Sequence, residues 1–125
     1  MHKSRLAGFI IDCDTDDLPA AAAFWSAALG MRTQRLGEGE ETYIGLKGGT
    51  QGLHIEVQQV EHASRVHLDI EADNVDAEVA RLELLGARLI DRVKSWCVME
   101  APTGQHFCIV RNDSDDFDDA ANIWP

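Results

Sequence analysis

Asp17-Leu18-Pro19-Ala20-Ala21-Ala22-Ala23-Phe24-Trp25-Ser26-Ala27-Ala28-Leu29-Gly30 is an acidic helix start, an amphipathic stretch and a Leu-Gly stop. The same order returns about 56 residues later, with Asp73, Val75, Ala80, Leu85 and Gly86 in the places of Asp17, Leu18, Phe24, Leu29 and Gly30. In the first copy Asp17 caps a helix with Pro19 in its first turn, where a missing N–H costs nothing. Leu18, Ala22, Trp25 and Leu29 share one face, and Gly30 ends the helix. In the second copy Asn74 is the cap, Asp76 and Glu78 sit in the first turn where the helix dipole favours acids, and Gly86 is the stop. Val75, Val79, Leu82 and Leu85 are spaced for one buried face. Phe24 and Trp25 are expected in the core rather than on a ligand platform.

Each helix follows an apolar run of strand length, Leu6–Cys13 and Arg65–Glu71. The second alternates strictly: Val66, Leu68 and Ile70 are apolar, while Arg65, His67, Asp69 and Glu71 are polar, the pattern of a half-buried strand. Three short strands follow each helix. They are Met31–Leu36, Thr42–Leu46 and Leu53–Gln58 in the first copy, separated by turns at Gly37–Glu41 and Lys47–Gly52. In the second copy they are Arg88–Val93, Trp96–Glu100 and His106–Arg111, the last two joined by Ala101-Pro102-Thr103-Gly104. The pattern is βαβββ written twice, an α+β fold with modules 6–59 and 65–111 in one domain spanning 1–111. Residues 112–125 form an acidic tail, expected to be solvated over Asn112–Asp119, with Ile123 and Trp124 able to dock.

The chain has 125 residues, the usual size of one domain with its own core. Its net charge of −11 repels phosphate backbones and anionic lipid, so neither nucleic acid nor a membrane surface is an expected partner. The apolar stretch Pro19–Met31 is too short to span a bilayer, and no export pattern is present at the first residues, which points to the cytoplasm. Cys13, Cys97 and Cys108 are an odd set without metal-knuckle spacing and read as reduced thiols.

The helix segment quoted above, Arg65-Val66-His67-Leu68-Asp69-Ile70, Val79-Ala80-Arg81-Leu82-Glu83-Leu84-Leu85-Gly86-Ala87 and Pro102-Thr103-Gly104-Gln105-His106-Phe107-Cys108-Ile109-Val110 together resemble the glyoxalase/bleomycin-resistance family, the vicinal oxygen chelate superfamily. The resemblance covers about residues 6–111 and is closest to its small glyoxalase-like branch. It implies paired βαβββ modules forming a curled mixed sheet with helices on the outer face, a homodimer, and a concave site. That site holds a divalent metal in the family's enzymes and a metal-free organic ligand in its resistance proteins.

The resemblance also implies where metal ligands would lie: in the first and fourth strands of one module and the first and last strands of the other. His67 matches the histidine of the second module. Its counterpart in the first strand is Ile10 or Ile11, neither of which binds a metal. The acidic ligand of the last strand falls on Cys108, and Glu56 or Gln58 occupies the fourth-strand place. Strand parity adds to this: Leu53, Ile55 and Val57 alternate with His54, Glu56 and Gln58, so those three share a face, as do His67 and Asp69. His106 and Cys108 join them if Phe107 and Ile109 pack on the helix.

Three functional readings follow. The first is binding of a small organic molecule without a catalytic metal or other cofactor, lined by His54, Gln58, Asp69, Trp96 and Cys108 with Glu56 and His67; the net charge suits a cationic ligand. The second is a lyase or isomerase of the glyoxalase type, with Glu56 as general base and His67 as proton donor, or with both as ligands of a divalent metal. The third is a non-catalytic partner domain with a vestigial pocket.

Overall fold

The computed structural model describes residues 1–49 and 52–125, so the turn expected over Lys47–Gly52 lies partly outside the described residues. The elements in chain order are β1 (His2–Asp14), α1 (Leu18–Leu29), β2 (Arg32–Arg35), β3 (Tyr43–Lys47), β4 (His54–Val60), β5 (Arg65–Ala72), α2 (Val75–Leu84), β6 (Arg88–Val93), β7 (Trp96–Glu100), β8 (His106–Arg111), α3 (Phe117–Ala120) and β9 (Asn122–Trp124). Every strand and helix expected from the sequence forms, with ends shifted by a few residues at most positions. The chain folds as two compact units, Gly8–His67, and Met1–Ala7 together with Leu68–Pro125. Among the described residues, no helix is long and apolar enough to cross a membrane.

In the Gly8–His67 unit the strand order is β2-β3-β4-β1, antiparallel except for the parallel pair β1–β4. A parallel pair cannot be closed by a tight hairpin, so the helix and two strands between β1 and β4 serve as the crossover. Asp17 caps α1 by accepting from the Ala20 N–H, and Gly30 ends it in the left-handed conformation at φ 68°. Leu18 and Ala22 of α1 pack on Ile11, Ile44, Leu46, Ile55 and Val57, with Phe9, Cys13 and Trp25 at the edge. The core was expected to include Phe24 and Leu29, but both are exposed, Phe24 to 62%. The helix is Ala-rich all round, so its periodicity marks the buried stripe poorly, and Phe24 sits edge-on against Trp25 instead.

The second unit repeats the topology. Its order is β5-β8-β7-β6, with β5–β8 parallel and the other pairs antiparallel. Asn74 caps α2 through the Ala77 N–H. Val79 is buried with Ala72, Cys97, Met99 and Ile109, while Ile70, Val75, Leu82 and Phe107 pack around them. Leu85, placed by periodicity on the same face, is exposed because the helix has ended before it. Val66 and Leu68 are also exposed; the apolar face of β5 is covered only over Ile70 and Ala72.

The tail is exposed over most of Asn112–Asp119, as its composition suggests, and its end docks, as expected at Trp124; the departure is Phe117. Phe117 is 1% exposed, and β9 pairs antiparallel with His2–Ser4 of β1. This docking centres on Glu78, which is completely buried. Its carboxylate receives two bonds from Arg81 at 2.8 Å and one from the Ser4 hydroxyl at 2.8 Å, and lies 2.7 Å from His2 Nε2. Trp124 Nε1–H donates to Ser4 Oγ, and the Arg81 guanidinium lies 3.8 Å over the Trp124 ring. Two acid-poor ends of the chain, His2–Ser4 and Asn122–Trp124, are thereby fastened around one buried charge. An alternation rule finds apolar runs and cannot register such a polar anchor.

Two expected outcomes follow. A Cβ at residue 8 would lie 1.8 Å from the His54 carbonyl oxygen, a backbone atom fixed by the β1–β4 ladder. Gly8→Ala is therefore expected to destabilise the fold by at least about 3 kcal/mol in chemical denaturation. For Glu78, burial pushes the carboxyl up, but the bonds from Arg81, His2 and Ser4 outweigh it and hold the pKa down at about 2, from an ordinary 4.5. A group with a depressed native pKa stabilises the fold above the unfolded value and loses that contribution as the pH falls through the folded one. Glu78 is thus expected to contribute about 3 kcal/mol at neutral pH, lost between 4.5 and about 2. Acid denaturation of Glu78→Gln should show a correspondingly shallower fall across that window.

Candidate functional site

On β1, Phe9, Ile11 and Cys13 turn toward α1, so Gly8, Ile10 and Asp12 alternate to the opposite face. On β4, Leu53, Ile55 and Val57 likewise pack toward α1, which places His54, Glu56 and Gln58 beside them on that opposite face, as parity predicted. The parallel register sets Gly8 opposite His54, Ile10 opposite Glu56 and Asp12 opposite Gln58. Both isoleucines are buried: Ile11 packs toward α1, and Ile10 lies on the face shared with Glu56 and Asp12.

Asp12 is the residue that strand parity should have revealed and that the sequence reading passed over. It is 2% exposed, directly after the strand's apolar run Leu6–Ile11. His67 Nδ1–H donates to Asp12 Oδ2 at 2.8 Å. Arg65 Nε lies 3.5 Å and His62 Nε2 4.0 Å from the same oxygen. A carboxylate only accepts, so this bond puts the proton of the neutral ring on Nδ1 and makes Nε2 the acceptor nitrogen. Asp12 Oδ1, by contrast, is buried with no hydrogen-bond partner among the described residues. The signal was available: Asp12 alternates with Ile11 and Cys13, so it belongs to the row of Glu56 and Gln58.

The other predicted residues fall into distinct settings. His54 and Glu56 are hydrogen-bonded to each other through Nε2 and Oε2. Asp69 on β5 lies opposite Cys108 on β8 in the second unit. Phe107 and Ile109 do pack toward α2, which sends His106 and Cys108 to the other face; His106 Nε2 lies 3.2 Å from Glu100 Oε2. Trp96 lines a depression beside the first turn of α2, and none of His54, Glu56, Gln58, His67, Asp69 or Cys108 lines it.

The metal positions implied by the family resemblance can now be tested on these residues. Ile10, buried and apolar, stands where one ligand is needed, and Glu56 is bonded to His54 rather than grouped with His67. That four-position donor set does not fit a chelating divalent ion, which needs three or four N or O ligands converging on it.

The sequence model of a glyoxalase-like domain matches residues 9–110. No curated protein matches the chain. Among solved structures, a methylmalonyl-CoA epimerase from Mycobacterium tuberculosis is similar at 16% identity and TM-score 0.64, covering 87% of this chain and 88% of that one. A Mn(II)-bound glyoxalase from Novosphingobium aromaticivorans is similar at 15% identity and TM-score 0.59, over 91% of this chain but 43% of that one. A glyoxalase/bleomycin resistance protein/dioxygenase superfamily member from Vibrio splendidus is 13% identical with TM-score 0.55, over 87% and 99% of the two chains. Identities this low establish a shared fold and no more.

The Asp12–His67 bond has a direct readout. Heteronuclear NMR of the His67 ring is expected to show the Nδ1–H tautomer in the neutral form. Asp12→Asn, which keeps an acceptor oxygen, should retain that tautomer, and Asp12→Leu should lose it.

Proposed function

The chain belongs to the glyoxalase-like domain family of the vicinal oxygen chelate superfamily, and on that premise we propose that it binds a small organic molecule at the Asp12–His67 pair, without a resident metal. The observation that carries this reading is Asp12 Oδ1, a buried carboxylate oxygen without a hydrogen-bond partner among the described residues. Burying a polar atom unpaired costs about 1–3 kcal/mol, more when it is charged, and that cost is relieved by a ligand that brings an N–H or O–H donor. The donor is supplied by a protonated amine or a hydroxyl compound; the net charge of −11 favours the cation. His54, Glu56 and Gln58 share the sheet face of Asp12 and supply further polar contacts.

Asp12 holding His67 by Nδ1 is also the arrangement that proton transfer uses, with the carboxylate orienting the ring. A lyase or isomerase activity is therefore a natural extension of the same pair, with Glu56 as the second carboxylate. The three cysteines form no disulfide, which supports a reducing, cytoplasmic setting. The homodimer is proposed on the exposed Val66 and Leu68 of β5, apolar side chains that a second subunit would cover.

Thermal melting against a panel of small amines and hydroxy compounds should raise Tm for at least one, since a ligand at a hundred times its Kd adds about 2.7 kcal/mol. Asp12→Asn and His67→Gln should abolish the shift, and Cys108→Ser should leave it intact. Stoichiometric metal in protein purified without chelators, or no compound that raises Tm, would overturn the reading.

A further inference from the structure

We infer that the Leu68–Pro125 unit carries an anion subsite, suited to the phosphate of a phosphorylated small molecule, in the cavity between the β6–β7 turn and the first turn of α2. The cavity has a volume of about 340 Å³, and its wall includes Arg92, Lys94 and Arg111 with Trp96. Three of the chain's 11 basic residues thus converge on one small depression in a protein whose net charge is −11. Such local inversion of charge is what focuses an anion onto a surface that otherwise repels it.

Two acids also line the cavity, and both are occupied. Asp73 Oδ1 accepts from the Lys3 N–H at 2.8 Å, and Asp76 Oδ1 accepts from Arg92 Nη1 at 2.8 Å. Lys94 and Arg111, on the other hand, have no side-chain hydrogen bond or ion pair among the described residues. Two unneutralised cations remain, one a compact ammonium and one a planar fork that matches two phosphate oxygens. The first turn of α2 adds backbone N–H groups and the positive end of a ten-residue helix.

The backbone at Lys94 supplies an independent reason to look here. Val93 pairs with Trp96, so Lys94 and Ser95 form a two-residue turn, and Lys94 sits at φ 53°. It is the one non-glycine residue with positive φ among the described residues. Glycine or asparagine takes such a place in a tight hairpin with less strain. A lysine retained there is kept for its side chain rather than for the turn.

That separation of roles gives the test. Inorganic phosphate and phenyl phosphate are titrated into the full chain at fixed ionic strength, with calorimetry for affinity and melting for stability. Both probes are expected to bind and to bind more weakly as salt is raised. Arg111→Gln should weaken binding about tenfold. Lys94→Gly should weaken it while leaving Tm of the unliganded protein equal or higher, because the turn is relieved as the charge is lost. Equal affinity for the two probes identifies a free phosphate as the ligand, and tighter binding of phenyl phosphate identifies an ester whose organic part rests on Trp96. Failure of both probes to bind overturns the inference, as does unchanged phosphate affinity in either variant. The Asp12–His67 pair takes no part in this experiment, so its outcome is independent of the proposed function.

Discussion

Parallel pairing of the first and last strands of each βαβββ unit is the constraint on which the rest of the molecule depends. β1 with β4, and β5 with β8, run side by side in the same direction, and no short turn can join such strands. The helix and the intervening hairpins are what the chain must travel through to bring them together. The pairing also fixes chemistry, because it decides which side chains of distant sequence become neighbours. Asp12 meets Gln58, Ile10 meets Glu56, and Asp69 meets Cys108 only through these ladders. The tightest point is Gly8 against His54, where the absence of a side chain lets the two backbones close.

Much of this was legible in the sequence, for reasons that differ by element. Helix caps are local: Asp17 and Asn74 bond to N–H groups three residues on, so short-range pattern is enough. The faces of β4 and β8 were legible because strict alternation leaves one arrangement that buries the apolar set. The exposed Phe24, Leu85, Val66 and Leu68 were not, because periodicity states which side chains share a face and not whether anything covers it. In the C-terminal segment one residue was not legible: the acidic composition signals the exposure that most of Asn112–Asp119 shows, yet Phe117 is buried with Arg5 of the other chain end over its ring.

The site was partly legible for the same physical reasons. His54, Glu56 and Gln58 occupy the face that parity assigned, opposite the α1-facing set Ile55 and Val57. Asp12 was not legible as a site residue because it closes an apolar run beside turn-rich acids, where a lone carboxylate reads as the end of the strand. Its importance lies in burial and in its bond to His67, a pairing between residues 55 apart in sequence.

Three buried acids show why Asp12 stands apart from ordinary structural charge. Glu78 receives bonds at both oxygens from Arg81, Ser4 and His2, and its depressed pKa is the consequence of that saturation. Glu71 is also answered at both oxygens, by Arg5 at 3.1 Å and by the Ser114 hydroxyl at 3.1 and 3.3 Å. These are the arrangements expected when a charge serves the fold, since an acid left half-paired in the interior lowers stability. Asp12 is as buried as they are, yet only Oδ2 is answered. The fold has the means to saturate a buried carboxylate and uses them twice. It leaves one oxygen of Asp12 open beside an oriented imidazole, on the sheet face that no helix of its unit covers, and it is on this difference from Glu71 and Glu78 that the proposal of a ligand-borne donor rests.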